Sequence, residues 1–314
     1  MKIAKKIDNA KDRVSRFWFD LNTKNILLTP PLKSKGSSPT IVSLVRHKDV
    51  MMYLLAVKSF YSRLQKGKII VLDDGSLTRK DKNRIKSHVS PSDIISVNDI
   101  NNNDCPSYAC WERLLFIADY VNKDYIIQLD SDTITLGPVE EIGRFVNANK
   151  SFILGECIKD QKIKHMTSFA DKYKENNSTF VQILAEKRFY KIRDCEKYRY
   201  VRGSAGFTGY AKESFTRKDI EHFSGRMQEI LGKEKWSEWG SEQVTTNFII
   251  ANAQNAEILP YPRYALYYPR FSEDYKKTTF FHFIGTHRFA GGMYLSKAKD
   301  ILSCLSQTNA KGKP

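Results

Sequence analysis

Ile126-Ile127-Gln128-Leu129-Asp130-Ser131-Asp132 is the stretch that decides how this chain of 314 residues is read. An apolar run, Tyr125–Leu129, has the length and composition of a buried strand, and two carboxylates follow it two positions apart. Residues i and i+2 of an extended chain project to one side, so the oxygens of Asp130 and Asp132 converge on one divalent cation. A hard cation held by few protein oxygens keeps positions open for phosphate oxygens. Aspartates at a strand end also cap turns, so the triplet takes its meaning from its surroundings.

Working outward, strands alternate with helices. Thr40–Val45 is a short apolar strand, Val50–Leu64 a helix, and Lys68–Leu72 a second strand ending in Asp73-Asp74-Gly75-Ser76. Asp93–Val97 is a third strand and Tyr108–Val121 a helix that leads into Tyr125–Leu129. Short apolar strands separated by helices imply an α/β fold with a parallel sheet covered on both faces. Such sheets bind ligands outside the carboxyl ends of their strands, and both acidic clusters fall at that edge. After Pro138 the pattern is mixed. Residues 159–199 read as helical with a break near Asn176-Asn177, Gly203–Tyr210 and Thr278–Ile284 as strands, and Glu242–Ala253 as a helix.

The chain carries 51 Lys and Arg against 35 Asp and Glu, a formal charge of +16. Hydrophobic residues make up 41%, enough for a sizeable core, which excludes global disorder. No run of 18 apolar residues is present, and Met1 is followed by charges rather than an apolar signal region, so a cytoplasmic location is expected. Five cysteines in no zinc-binding spacing read as reduced thiols. The positive charge is concentrated in two places. Residues 1–36 hold nine basic residues against three acidic, and residues 159–199 hold eleven against six, which together account for two thirds of the excess. In the first segment Ile3, Ile7, Ala10, Val14, Phe17 and Leu21 recur at steps of three and four, with Trp18 and Phe19 adding aromatic bulk. Such a basic amphipathic helix suits the inner face of an anionic membrane as a peripheral anchor, or packs on the domain. Pro30, Pro31 and the Ser/Gly-rich residues 33–39 read as a linker, and the residues after Ser306 as a polar tail.

Further segments in order carry a resemblance. Trp111-Glu112-Arg113-Leu114 precedes the acidic strand; Gly203-Ser204-Ala205-Gly206-Phe207, Glu242-Gln243 at a helix start, and His282-Phe283-Ile284-Gly285-Thr286-His287-Arg288 follow it. With Asp130-Ser131-Asp132 these segments resemble the GT-A glycosyltransferases with an Asp-x-Asp metal motif, most closely glycosyltransferase family 8, the glycogenin and bacterial galactosyltransferase type. The resemblance covers residues 40–295 by motif order. Asp73-Asp74-Gly75-Ser76 resembles instead family 2, where an aspartate after this strand accepts a hydrogen bond from the base. Ordinary turn chemistry with Thr78 capping the next helix is the other reading of that segment.

What the resemblance implies is a GT-A fold, a mixed, mostly parallel sheet flanked by helices. Residues 1–36 would be an arm and linker, 37–150 the nucleotide-sugar-binding half, 151–305 the acceptor-side half of the same domain, and 306–314 a tail. Asp130, Asp132 and His282 would hold Mn²⁺ or Mg²⁺. Asp73 or Asp74, Arg113, Ser204, His287 and Arg288 would bind a nucleoside-diphosphate sugar, in the first place a UDP-sugar. Arg288 stands where the family has Lys, which replaces a point charge by a planar fork. Glu242 and Gln243 would be the catalytic pair. Inversion needs a carboxylate base near the acceptor hydroxyl, for which Glu242 is the candidate with Glu238 behind it; retention needs none and leaves Glu242-Gln243 to position the sugar. The family 8 resemblance implies retention, which is the expectation, while the family 2 segment points to inversion as the alternative. The acceptor would be a glycan or glycolipid in bacterial surface polysaccharide synthesis, with residues 159–199 and 213–240, including Trp236 and Trp239, on its side.

Two other classes fit the sequence less well. A nucleotidyltransferase lacks its glycine-rich loop after the first strand, where Ser43-Leu44-Val45-Arg46-His47 stands. A nucleic-acid-binding protein would use the positive charge on phosphates but not the acidic clusters, which repel phosphate without a metal. No nucleic-acid partner is expected.

Overall fold

The strand that ends at Asp130 lies at the centre of the protein's main sheet. The computed structural model describes the backbone of residues 2–310 and the side chains of these except 2–12, 272, 273, 286 and 308–310. The strands that build the site are β1 (Thr40–Val45), β2 (Lys68–Asp73), β3 (Asp93–Ser96), β4 (Ile126–Leu129), β5 (Thr133–Thr135), β6 (Phe152–Gly155), β7 (Gly203–Tyr210), β8 (Glu257–Ile258), β9 (Tyr264–Leu266) and β10 (Phe280–His282). A seven-stranded sheet runs in the order β8-β6-β7-β4-β1-β2-β3 and a three-stranded one in the order β9-β10-β5. In the larger sheet β4, β1, β2 and β3 are parallel, β8 is parallel to β6, and β7 runs antiparallel to both neighbours. The sheet is thus mixed and mostly parallel.

Helices cover both faces, as near-continuous apolar strands require. On one side α1 (Lys2–Thr23), α2 (Val50–Leu64), α5 (Glu140–Asn147) and α11 (Met293–Ala310) pack over Ile41, Val71, Ile127 and Phe207. On the other, α4 (Ala109–Tyr120), α6 (Met166–Tyr173), α7 (Val181–Lys187), α8 (Arg217–Leu231), α9 (Lys233–Trp236) and α10 (Ser241–Asn252) pack over Val42, Ile70 and Ile126. Alternating residues of β1 therefore feed opposite cores, the period-2 rule of an extended strand. Local signals set several boundaries. Thr78 and Asp81 form a reciprocal capping box that starts α3 (Arg79–His88), and Thr216 and Asp219 form another that starts α8. The break between α6 and α7 contains Asn176-Asn177, as expected.

Helix α1 is two-faced. Phe19 is buried and stacks on Tyr294 with centroids 4.3 Å apart, and Arg16 donates to Asp49 at 2.6 Å. The other face, Val14, Phe17, Trp18 and Leu21, is exposed, with Leu28 just beyond it. The side chains of Ile3, Ile7 and Ala10 lie outside the described residues. After α1 the chain runs along the domain. The Lys58 ammonium donates to Thr29 Oγ1 and to Pro30 O at 2.8 Å each, and Leu32–Lys33 pairs in parallel with Val89–Ser90. The polar residues after Ser306 continue α11 to Ala310, and 311–314 lie outside the described residues. All five cysteines are free thiols.

Candidate active site

The carboxyl ends of β1, β2 and β4 open on a cavity of about 680 Å³. Backbone pairing places the acidic triplet at its floor. Asp130 N donates to Gly206 O of β7 at 2.8 Å, and Phe283 N, just past β10, donates to Asp132 O at 2.9 Å. The turn between β4 and β5 is thus held from both sides by strands distant in sequence. His282 ends β10 opposite Thr133 of β5, which brings its ring to the two aspartates. Its Nε2 lies 3.1 Å from Asp132 Oδ1 and 3.8 Å from Asp130 Oδ2. Ligand atoms from Asp130, Asp132 and His282 all fall within 4.8 Å of one another.

This donor set fits a divalent ion. Two carboxylates and one imidazole suit Mn²⁺ or Mg²⁺, with Mn²⁺ the more tolerant of nitrogen. Ser204 Oγ sits 3.0 Å from His282 Nδ1; when it accepts from Nδ1–H, the Nε2 lone pair is left facing the carboxylates. Gly206 makes room for the ring, because a Cβ there would lie 2.0 Å from His282 Cε1. Burial alone would raise the Asp132 carboxyl, but Arg288 and His282 outweigh it and hold the group well below the usual carboxylate range. Arg288 Nη2 donates to Asp132 Oδ2 at 2.6 Å, and its Nε to Phe283 O at 3.2 Å.

A second charged group backs the first. Arg113, on α4, is buried; its Nη1 pairs with Asp130 Oδ1 and its Nη2 lies 3.4 Å from Glu242 Oε1 on α10. Burial pushes the Glu242 carboxyl up to about 7, with Arg113 pulling the other way. Neighbouring packing aims this pair. Trp111 is buried against Trp236 and donates through Nε1 to Ser241 Oγ at 3.0 Å, which ties α4 to the first turn of α10.

Of the expected site residues, Asp74, Arg113, Asp130, Asp132, Ser204, Glu242, Gln243, His282 and Arg288 all line this one cavity. Asp73 does not. It is buried, its Oδ1 accepts from Gly75 N and Leu77 N at 2.9 and 3.1 Å, and its Oδ2 pairs with Lys82 at 2.8 Å. All its capacity serves the turn, and Asp74 is the aspartate that faces the cavity. His287 is exposed and does not line the cavity; its ring lies against Tyr268 with centroids 5.5 Å apart. The two tryptophans part company as well. Trp236 is core, whereas Trp239 is 67% exposed and lines the cavity mouth beside Phe180.

Sequence reasoning missed residues that line the site or support it from behind. Arg46 follows β1 and pairs with Asp49 at 2.6 Å, and Asp49 in turn holds Arg16 of α1. A basic residue at the carboxyl end of the first strand was the available signal. Gln128, a lone polar residue in an apolar strand, donates to Ala205 O where β7 slips register against β6. This irregularity beside the site places Ser204 and Gly206 around His282.

No protein-family model matches the chain, and neither does any curated protein sequence. Solved structures do match. The galactosyltransferase LgtC in complex with donor and acceptor sugar analogs superposes with a TM-score of 0.54 at 10% identity, over 85% of this chain and 96% of that one. The fold is that of the GT-A glycosyltransferases. An active-site mutant of LgtC matches with a TM-score of 0.51 at 11% identity, over 85% and 96%. The bifunctional glycosyltransferase WbbM, without ligand, matches with a TM-score of 0.51 at 13% identity, over 88% of this chain and 53% of that chain. At these identities the likeness concerns the fold, and the chemistry rests on the residues described above.

Proposed function

We propose that the protein is a metal-dependent glycosyltransferase that moves a sugar from a nucleoside-diphosphate sugar, in the first place a UDP-sugar, to a hydroxyl of a glycan or glycolipid. The supporting observation is the convergence of Asp130, Asp132 and His282 at the carboxyl ends of a GT-A sheet, inside a cavity large enough for a nucleotide sugar. Held by these three groups, a divalent ion would supply positive charge beside the leaving diphosphate. Arg288, an always-charged fork beside Asp132, adds hydrogen bonds to the phosphate oxygens, and Asp74 accepts from the base or ribose. Arg113 pairs with Asp130 and holds its carboxylate oriented toward the ion site.

The transfer is proposed to retain anomeric configuration. Glu242 is buried against Arg113, which suits a group that positions its neighbours better than a base that must reach an acceptor hydroxyl. Gln243, next to it in the cavity, would then hold the transferred sugar. The test is a panel of nucleotide sugars incubated with Mn²⁺ and the product's anomeric proton read by NMR. Turnover of one donor with the configuration kept supports the proposal; turnover indifferent to chelators overturns the metal role, and an inverted linkage overturns retention.

The protein is further proposed to work as a peripheral enzyme on the inner, anionic face of a bacterial membrane during surface polysaccharide synthesis. The outer face of α1 favours this. Val14, Phe17, Trp18 and Leu21 form an exposed apolar stripe, Arg13 and Lys24 are exposed nearby, and the segment is strongly basic. Among the described residues no helix is long and apolar enough to cross a membrane. Sedimentation with phosphatidylglycerol vesicles, lost in Phe17→Glu/Trp18→Glu with UDP binding intact, is the expected result; equal sedimentation of the variant would contradict it.

A further inference from the structure

We infer that a second, smaller cavity beside the first is an anion-binding subsite for the acceptor, taking a phosphate or a sugar carboxylate carried by the glycan. The inference rests on the proposed glycosyl transfer and names the substrate class that transfer would serve. The second cavity measures about 270 Å³ and shares Glu156 and Arg202 with the main one, so a single ligand can occupy both. Its charged lining is Lys162, Lys164, Lys172 and Arg202 against Glu156 and Asp160.

Arg202 is held in place. Its Nε lies 3.1 Å from Glu186 Oε1, whose residue is 1% exposed, and its Nη1 donates to the Tyr173 hydroxyl at 2.6 Å. The guanidinium and the Lys172 ammonium both lie over the Tyr173 ring, 5.2 and 5.0 Å from its centroid. Among the described residues Lys162 and Lys164 form no ion pair. Glu156 and Glu186 pair with Arg202, so the three lysines leave the cavity with an excess of positive charge, which an anion in their midst would offset. The donor diphosphate is served by the ion site and Arg288, so the lysines are left for the acceptor. Lys162, Lys164 and Lys172 also fall within residues 159–199, whose excess charge the donor chemistry leaves unused.

The mouth of the main cavity supplies the rest of such a subsite. Trp239 is 67% exposed and Phe180 41%, their ring centroids 6.3 Å apart, in a position to stack an acceptor sugar on its way from the donor to Arg202. An acceptor hydroxyl then reaches the donor while an anionic group of the same glycan rests among the lysines.

The experiment is calorimetric titration of the full chain, with UDP and Mn²⁺ present, using three tetrasaccharides of one backbone: neutral, bearing one glucuronic acid, and bearing one phosphate. At least one anionic probe is expected to bind about tenfold tighter than the neutral one, an advantage that shrinks with added salt. The two anionic arms tell phosphate from carboxylate. In Lys162→Glu/Lys164→Glu the advantage should vanish while UDP and Mn²⁺ bind as in the wild type; both side chains are exposed, so folding is expected to survive. Equal binding of all three probes, no binding of any, or an advantage that persists in the double variant would overturn the inference. Failure of UDP with Mn²⁺ to bind the wild type would overturn the transferase reading instead, and the saccharide titration alone would still report on the cavity.

Discussion

The two walls of the main cavity are built on opposite principles. On the proposed donor wall, Asp130, Asp132 and His282 sit at strand ends, Arg113 on a buried helix face and Arg288 in the turn after β10, and they are bound to one another. On the proposed acceptor side, Trp239 and Phe180 are exposed, and in the adjoining cavity, among the described residues, Lys162 and Lys164 form no ion pair. A wall that must hold an ion and a diphosphate gains from preorganised charge in a region of low dielectric. A wall that must admit a variable saccharide gains from open aromatic faces and unpaired cations. The contrast predicts which mutations act on chemistry and which on acceptor choice.

The largest effects belong to the donor wall. Asp132→Asn should lower metal-dependent donor turnover by about 10³-fold while the protein stays folded. A loss under tenfold, with near-UV circular dichroism unchanged, would remove Asp132 from the ion site. The tryptophan pair tests the walls against each other. Trp236→Ala opens a void in the core and should cost about 3–5 kcal/mol of stability in denaturant titration. Trp239→Ala should leave stability within about 0.5 kcal/mol and raise the acceptor KM roughly tenfold with kcat little changed. Matching stability losses for the two would show that Trp239 belongs to the core after all. Gly206→Ala pushes a methyl into the His282 ring and should weaken Mn²⁺ binding by about 10–100-fold, a figure taken from the loss of groups that orient metal ligands.

The smallest effect concerns Glu186, the buried carboxyl that holds Arg202 on the proposed acceptor side. Burial pushes the Glu186 carboxyl up to about 7, partly offset by Arg202. The folded protein then binds more protons than the unfolded chain between its ordinary value near 4.5 and 7. This contribution to stability is full below the lower value and lost as pH rises through the upper one, with a slope of at most about 1.4 kcal/mol per pH unit. Glu186→Gln should flatten that slope in thermal melts taken between pH 4.5 and 7. An unchanged slope would place the titration elsewhere.

Most of the donor wall was legible in the sequence because its pieces are local. A strand followed by Asp130-Ser131-Asp132, a helix opening on Glu242-Gln243, and a strand ending at His282 each carry their own signal, and the parallel sheet brings strand ends together. Where several groups compete for one role, local signals fail. Asp73 and Asp74 look alike in sequence, yet the turn amides and Lys82 claim Asp73. His287 and Arg288 are adjacent, yet only Arg288 turns inward to Asp132. Arg46 escaped notice because its meaning depends on Asp49 and on Arg16 from a distant helix. The acceptor wall was the least legible. Whether a tryptophan is core or platform depends on tertiary packing, and Trp236 and Trp239 lie three residues apart.

The central claim is that Asp130, Asp132 and His282 form a metal site completed by the donor nucleotide. Calorimetric titration of Mn²⁺ into the protein with and without UDP, repeated for Asp132→Asn and His282→Ala, tests it most directly. The account predicts one ion per chain, bound more tightly when UDP is present, with affinity reduced by about 10²-fold or more in both variants. Binding that ignores UDP, or that survives both substitutions, would contradict it.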